Sequence, residues 1–141
     1  MIRYDHPFRV RYRDIDQMGI MYYSRYFEHF EAARTDLMRA LGLTYRSLEE
    51  QGIYMPVVHA EARYLAGPGF DDALKVVTEI RSIERSRMRI HYRMTALDDD
   101  GPDYALGQTV HAFVGERGRP VRIPAHLNAL LEQKWGMDLS V

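Results

Sequence analysis

The spacing of apolar positions changes twice along the chain, from every second residue to every third or fourth and back again. Phe8-Arg9-Val10-Arg11-Tyr12-Arg13 alternates apolar and basic side chains, the period of a half-buried strand, and the alternation ends at Asp14. Ser24 to Leu41 contains neither Gly nor Pro and sets Phe27, Phe30, Ala33, Leu37 and Leu41 three or four apart, which predicts an amphipathic helix of about 18 residues. Tyr26 widens its stripe enough to lie across a sheet, and Gly42 marks its C-terminal stop. Thr44 is placed to cap a short second helix through Leu48 and Glu49, closed by Gly52.

Beyond Gly52 the period stays at two. Val58, Ala60, Ala62 and Tyr64 alternate with His59, Glu61 and Arg63; after the breaks at Gly67-Pro68-Gly69 and Asp71-Asp72 a second run covers Leu74 to Ile80. Met88, Ile90, Tyr92, Met94 and Ala96 face one way and Arg87, Arg89, His91, Arg93 and Thr95 the other, until Asp98-Asp99-Asp100-Gly101-Pro102 turns the chain. A last strand runs from about Tyr104 to Val114, and Pro124 suits the first turn of a C-terminal helix bearing Leu127, Leu130, Leu131 and Trp135. One strand, a long helix and about four more strands is an α+β order, with an antiparallel sheet of about five strands packed on the long helix. One helix cannot cover such a sheet, so a second copy of the chain, or an extension of the sheet across a two-fold axis, is expected to hide the rest.

Composition narrows the class. The 141 residues, 46% hydrophobic and 28% charged, fit one soluble domain spanning 1–141, without repeats or linkers. Lys+Arg 19 against Asp+Glu 20 gives a formal charge of −1, so no global excess of positive charge draws the chain to nucleic acid or an anionic membrane. No window approaches a spanning helix, and the first residues lack the apolar core of a signal peptide, so the expected location is cytoplasmic. The absence of cysteine removes disulfides, thiolate metal sites and thiol nucleophiles.

The densest candidate chemistry lies in Tyr12-Arg13-Asp14-Ile15-Asp16-Gln17-Met18-Gly19-Ile20-Met21-Tyr22-Tyr23, between the first strand and the long helix. Two readings stand side by side. Asp14 and Asp16 are suited to Asx turns, with Gly19 supplying a positive φ. Alternatively, the unpaired N–H groups of the helix N-terminus near Tyr22, Tyr23 and Ser24 polarise a carbonyl, which an upstream carboxylate attacks or delivers water to. A calcium loop is excluded, because Met18 and Arg25 occupy positions where an EF-hand needs ligands.

This run, with Tyr26, Phe30-Glu31-Ala32-Ala33-Arg34, Met55-Pro56-Val57-Val58, Tyr64 and the Asp71-Asp72 turn, closely resembles the signature of the 4-hydroxybenzoyl-CoA thioesterase family of hotdog-fold proteins. The resemblance covers nearly the whole chain. It implies a sheet wrapped around a central helix and an acyl-CoA substrate hydrolysed without cofactor or metal. It also implies Asp16 as the catalytic carboxylate, acting as nucleophile or general base. It docks the thioester carbonyl at the helix N-terminus, with the backbone N–H of Tyr23 or its neighbour as donor. Many members carry histidine at the position of Tyr23 and asparagine at that of Arg25. Tyr12 matches a family tyrosine near the carboxylate, for which a site hydroxyl and simple packing are equal explanations. Gly19 and Tyr22 flank the substrate in this reading, and Pro56, Val57 and His59 supply a wall from the other protomer of a homodimer or homotetramer. The resemblance leaves open a carrier-protein thioesterase or dehydratase, and a non-catalytic protein associated with the cell envelope.

Other residues receive structural readings. Glu31 and Arg34, three apart, suit an intrahelical ion pair. The six histidines show no metal-ligand spacing, and no Gly-x-Ser-x-Gly elbow is present. Arg85, Arg87, Arg89 and Arg93 form a solvated basic face or contact the phosphates of coenzyme A, with Arg85 and Arg87 the first candidates.

Overall fold

The computed structural model describes residues 1–98 and 100–140. Five strands, β1 (Ile2–Arg9), β2 (Val57–Tyr64), β3 (Ala73–Glu84), β4 (Arg87–Ala96) and β5 (Asp103–Ala112), form one sheet in the order β1-β3-β4-β5-β2 with every neighbouring pair antiparallel. Helices α1 (Arg25–Ala40), α2 (Tyr45–Glu50) and α3 (Ala125–Lys134) complete the architecture. The α+β order and the long helix are as the pattern predicts.

Helix α1 buries Tyr26, Phe30, Ala33 and Leu37 of the predicted stripe, together with His29 and Met38, whereas Phe27 stays partly exposed. The Phe30 ring stacks on Tyr92 of β4 at 4.6 Å between centroids. Beside that pair a side chain at Gly107 of β5 would run into the Phe30 ring, which is why this strand carries a glycine where the helix crosses it. Gly42 ends α1 at φ +90°, and the Thr44 hydroxyl accepts from the Ser47 amide at 3.0 Å to cap α2.

Three boundaries depart from the periodicity. The first strand occupies Ile2–Arg9 and not Phe8 to Arg13; Tyr12–Asp14 forms a 3-10 turn, because the Asp14 carboxylate accepts the Arg11 amide at 2.8 Å and bends the chain. β3 continues to Glu84, where Glu84 opposite Arg87 closes a tight hairpin that takes Arg85 into its turn. β5 ends at Ala112, and Val114 instead bridges Tyr54 and Pro120. In the turn before β5, Asp99 lies outside the described residues, and the Gly101 amide donates to the Asp98 carbonyl at 3.1 Å.

The two sheet edges differ. β1 is covered by the C-terminal segment, with the Arg3 amide donating to the Met137 carbonyl at 2.9 Å and the Leu139 amide to the Arg3 carbonyl at 2.7 Å. β2 pairs only with β5, and its residues are exposed along almost the whole strand. Its outer edge has no strand partner among the described residues.

Candidate active site

The loop between β1 and α1 is built around two carboxylates with opposite surroundings. Asp14 is fully buried: its Oδ2 accepts from the Arg11 amide at 2.8 Å and from His29 Nε2 at 3.0 Å, and its Oδ1 faces the Arg11 guanidinium at 3.3 Å. Burial works against its charge, but the Arg11 amide, the guanidinium and His29 outweigh it and hold the carboxyl below the ordinary range. Burial holds the His29 imidazole below its usual range against the pull of Asp14, so a neutral ring donates through Nε2.

Asp16 is only partly buried. Its Oδ1 accepts from the Met18 amide at 2.8 Å, its carbonyl accepts from Gly19 at 3.0 Å, and Gly19 takes φ +78° to close the turn. This is the Asx turn of the structural reading. It occupies one carboxylate oxygen and leaves Oδ2 without a hydrogen bond to any described residue. The loop is pinned from behind: the Met21 amide donates to the Pro68 carbonyl at 2.9 Å, and a Cβ at Gly67 would lie 2.7 Å from Ile20.

The chain then enters α1 through Ser24, which makes no side-chain cap. The Tyr22 carbonyl accepts the Arg25 amide and the Tyr23 carbonyl accepts the Tyr64 hydroxyl at 3.1 Å, while the Tyr23 amide donates to no described residue. The exposed rings of Tyr22 and Tyr23 lie 4.6 Å apart. Tyr23, followed by burial and the Asp16 charge, holds the Tyr22 phenol above its ordinary range; burial, then Tyr64 and Asp16, does the same for Tyr26. Asp16 thus keeps a carboxylate oxygen, and Tyr23, just before the N-cap Ser24, an amide, with no hydrogen-bond partner among the described residues, and the Asp16 charge is felt at the neighbouring Tyr22 phenol.

The remaining sequence candidates lie elsewhere. Pro56, Val57 and His59 sit at the start of β2, near Arg87, which opposes Ala112, and Arg85, whose carbonyl accepts the Ile123 amide at 2.9 Å. Tyr64, at the other end of β2, is the residue that reaches the Asp16 loop. At about 3.3 Å per residue, Val57 and Tyr64 are about 23 Å apart, so one chain does not bring the two groups together. Tyr12 is 77% exposed with its ring against Phe70, and no described hydrogen bond links it to Asp16. The expected Glu31–Arg34 ion pair does not form, because Arg34 turns inward to the hydroxyls of Tyr45 and Tyr92 while Glu31 stays in solvent. Arg93 pairs with Asp103 at 2.9 Å.

Sequence reasoning did not single out His29 as the partner of Asp14. Its only signal is its place three residues after Tyr26, toward the buried stripe. A cavity of about 570 Å³ opens between β1 and α1, lined by His6, Phe8, Arg11, His29, Asp36 and Arg39 and not by Asp16. Among the described residues no three His, Asp or Glu side chains cluster as a metal site needs, and no helix is long and apolar enough to cross a membrane.

A strand, a carboxylate loop and a long helix lying on an antiparallel sheet define a class of fold, and comparison with known proteins agrees. Residues 10–131 match the thioesterase-like superfamily. The chain belongs to that superfamily and has the hotdog fold. It is 35% identical over 89 residues to the acyl-CoA thioesterase YbgC of Haemophilus influenzae, a match covering 62% of this chain and 65% of that protein. It is 28% identical to the 1,4-dihydroxy-2-naphthoyl-CoA hydrolase of Synechococcus elongatus, over 78% of this chain and 80% of that one. The crystal structure of the DHNA-CoA thioesterase from Staphylococcus aureus superimposes with a TM-score of 0.83 at 26% identity, covering 98% and 99% of the two chains.

Proposed function

We propose that this protein hydrolyses an acyl or aroyl thioester of coenzyme A to the carboxylic acid and free coenzyme A, in the cytoplasm and as a homodimer or an assembly of such dimers. The observation that carries the reading is that Asp16 Oδ2 and the Tyr23 amide, at the two ends of the loop that leads into α1, both lack a hydrogen-bond partner among the described residues. The thioester carbonyl oxygen points at that amide, which stabilises the oxyanion as it develops, while Gly19 and Tyr22 border the acyl group. Asp16 either attacks the carbonyl carbon, expelling the thiolate and leaving an anhydride for water to open, or takes a proton from the attacking water. The Met18 amide on Oδ1 fixes the carboxylate for both routes.

The free edge of β2 supports the dimer. Antiparallel pairing of two copies of β2 about a two-fold axis sets the start of one strand beside the end of the other. Pro56, Val57 and His59 of one protomer then stand at the Tyr64 end of its partner, next to the partner's Asp16 loop, and Arg85 and Arg87 come with them as candidates for the coenzyme phosphates. The arrangement unites the two groups that a single chain keeps about 23 Å apart.

The experiment is a hydrolysis screen over short, long and aromatic acyl-CoA thioesters and carrier-protein thioesters, read by free thiol, with Asp16→Asn beside the wild type. Turnover of coenzyme A thioesters that Asp16→Asn lowers by roughly 10²-fold or more is expected. Turnover of carrier-bound thioesters alone, or binding without turnover, contradicts it. Label from H₂¹⁸O appearing in the Asp16 carboxylate in a single turnover identifies the nucleophilic route.

A further inference from the structure

A chain of side chains crosses the buried interface between α1 and the sheet. Arg34 of α1 donates through Nε to the Tyr45 hydroxyl at 2.8 Å and through Nη1 to the Tyr92 hydroxyl at 3.0 Å. The Tyr92 hydroxyl lies 2.6 Å from Thr109 Oγ1, Thr109 Oγ1 lies 2.9 Å from His111 Nε2, and His111 Nδ1 lies 3.2 Å from the Met55 carbonyl. Tyr92, Thr109 and His111 are all at most 2% exposed.

The ends of this chain fix every proton in it. A guanidinium only donates and a carbonyl only accepts. His111 Nδ1 therefore carries the hydrogen that reaches Met55. Burial first, and then the nearby charge of Arg34, push the imidazole pKa down to about 4, so near neutral pH the ring is uncharged and its Nε2 is an acceptor. Thr109 must donate to Nε2, which leaves Tyr92 to donate to Thr109 and to accept from Arg34. Burial opposes the charge on Arg34, but Tyr92 and Tyr45 hold its pKa above the ordinary value, so the donor end stays charged.

The acceptor end is one residue before Pro56-Val57. We propose that Arg34, Tyr92, Thr109 and His111 are positioning residues that, through a single-direction hydrogen-bond chain, tether the Met55 carbonyl and so set the wall that Pro56 and Val57 present to the acyl group in the partner subunit's site. The proposal rests on the thioesterase reading above. It also gives Arg34 a role that an intrahelical ion pair would not.

The test compares Thr109→Val, which keeps the shape and removes the hydroxyl, with Thr109→Ser, which restores it, in steady-state hydrolysis of an acyl-CoA that the wild type turns over, below the melting temperature of each variant. Thr109→Val is expected to raise KM by about tenfold with kcat within about threefold of wild type, and Thr109→Ser to return KM to within about twofold. A folded Thr109→Val enzyme with wild-type KM overturns the proposal. Should Thr109→Val fail to fold, Tyr92→Phe, which keeps the ring stack on Phe30, carries the same expectation and the same refutation. Nitrogen-15 NMR of the wild-type imidazoles is an independent check: the Nδ1–H tautomer is expected at His111, and the Nε2–H tautomer overturns the chain whatever the variants do. A wild type without thioesterase activity would defeat the catalytic reading, whereas an active wild type with an indifferent Thr109→Val defeats the positioning chain alone.

Discussion

His29 Nε2 donates to Asp14 Oδ2 across 3.0 Å with both side chains shut away from solvent, so the first of the two loop carboxylates is spent on holding the loop to α1. Asp16, two residues on, keeps an oxygen free. The division follows from burial and bonding partners, which neither residue type nor spacing reveals.

The two aspartates should therefore fail differently. Asp14→Asn removes a charge that the Arg11 guanidinium faces and that the neutral His29 ring hydrogen-bonds, and is expected to cost about 2–4 kcal/mol, seen as a lower urea midpoint. Asp16→Asn keeps the Met18 hydrogen bond and should move the midpoint by less than about 0.5 kcal/mol equivalent while turnover collapses. Equal stability losses at both positions would return Asp16 to a purely structural role.

Stability should decline on the acid side of neutrality, and His111 is a main reason. Its folded pKa of about 4 lies below the ordinary 6.5. The unfolded chain takes up a proton that the folded chain refuses, so the contribution is whole above pH 6.5 and is lost as pH falls toward about 4, up to ~3 kcal/mol. His29, also held low, acts in the same direction. Urea melts at pH 7.5 and pH 5 should show the loss, and His111→Gln should flatten it; an unchanged pH slope in that variant contradicts the assignment.

Gly107 offers a packing test. Its missing side chain makes room for Phe30, so Gly107→Ala should destabilise by roughly 1–3 kcal/mol, while Gly118→Ala, in an open turn at φ +71°, suffers only backbone strain. Denaturant midpoints of the two variants check the difference in cause: repacking by Phe30→Leu should relieve the first and leave the second untouched.

Much of the fold was legible because it depends on period. The Ser24 to Leu41 stripe and the alternation around Met88 to Met94 report burial directly, and the structure places both where the pattern does. The alternation from Phe8 to Arg13 sets the first strand too late, because it carries no sign of the Asp14 carboxylate that turns the chain at Arg11. The inward turn of Arg34 was invisible for a related reason. Its partners, Tyr45 and Tyr92, are 11 and 58 residues away, whereas the expected partner Glu31 is a near neighbour in sequence. The loop motif pointed to Asp16, but the separation of Val57 from that loop emerges only once β2 is seen as a free edge with Tyr64 at its far end.

The edge should be where copies meet. Pairing centred on the strand brings Ala60 opposite Glu61 of the partner subunit, so Ala60→Glu sets like charges face to face on both sides of the axis. Light scattering is expected to find the variant as a monomer with little activity. A monomer as active as wild type would refute a shared site.

The central claim is that each active site joins Asp16 of one protomer to the Pro56-Val57 wall of the other, and subunit complementation tests it most directly. Asp16→Asn and Val57→Arg are each expected to be nearly inactive. Refolded together, random pairing makes about half of the dimers mixed, and each mixed dimer contains one intact site and one doubly damaged site. Activity should return to about a quarter of the wild-type level. A mixture no more active than its two inactive parents would contradict the shared site.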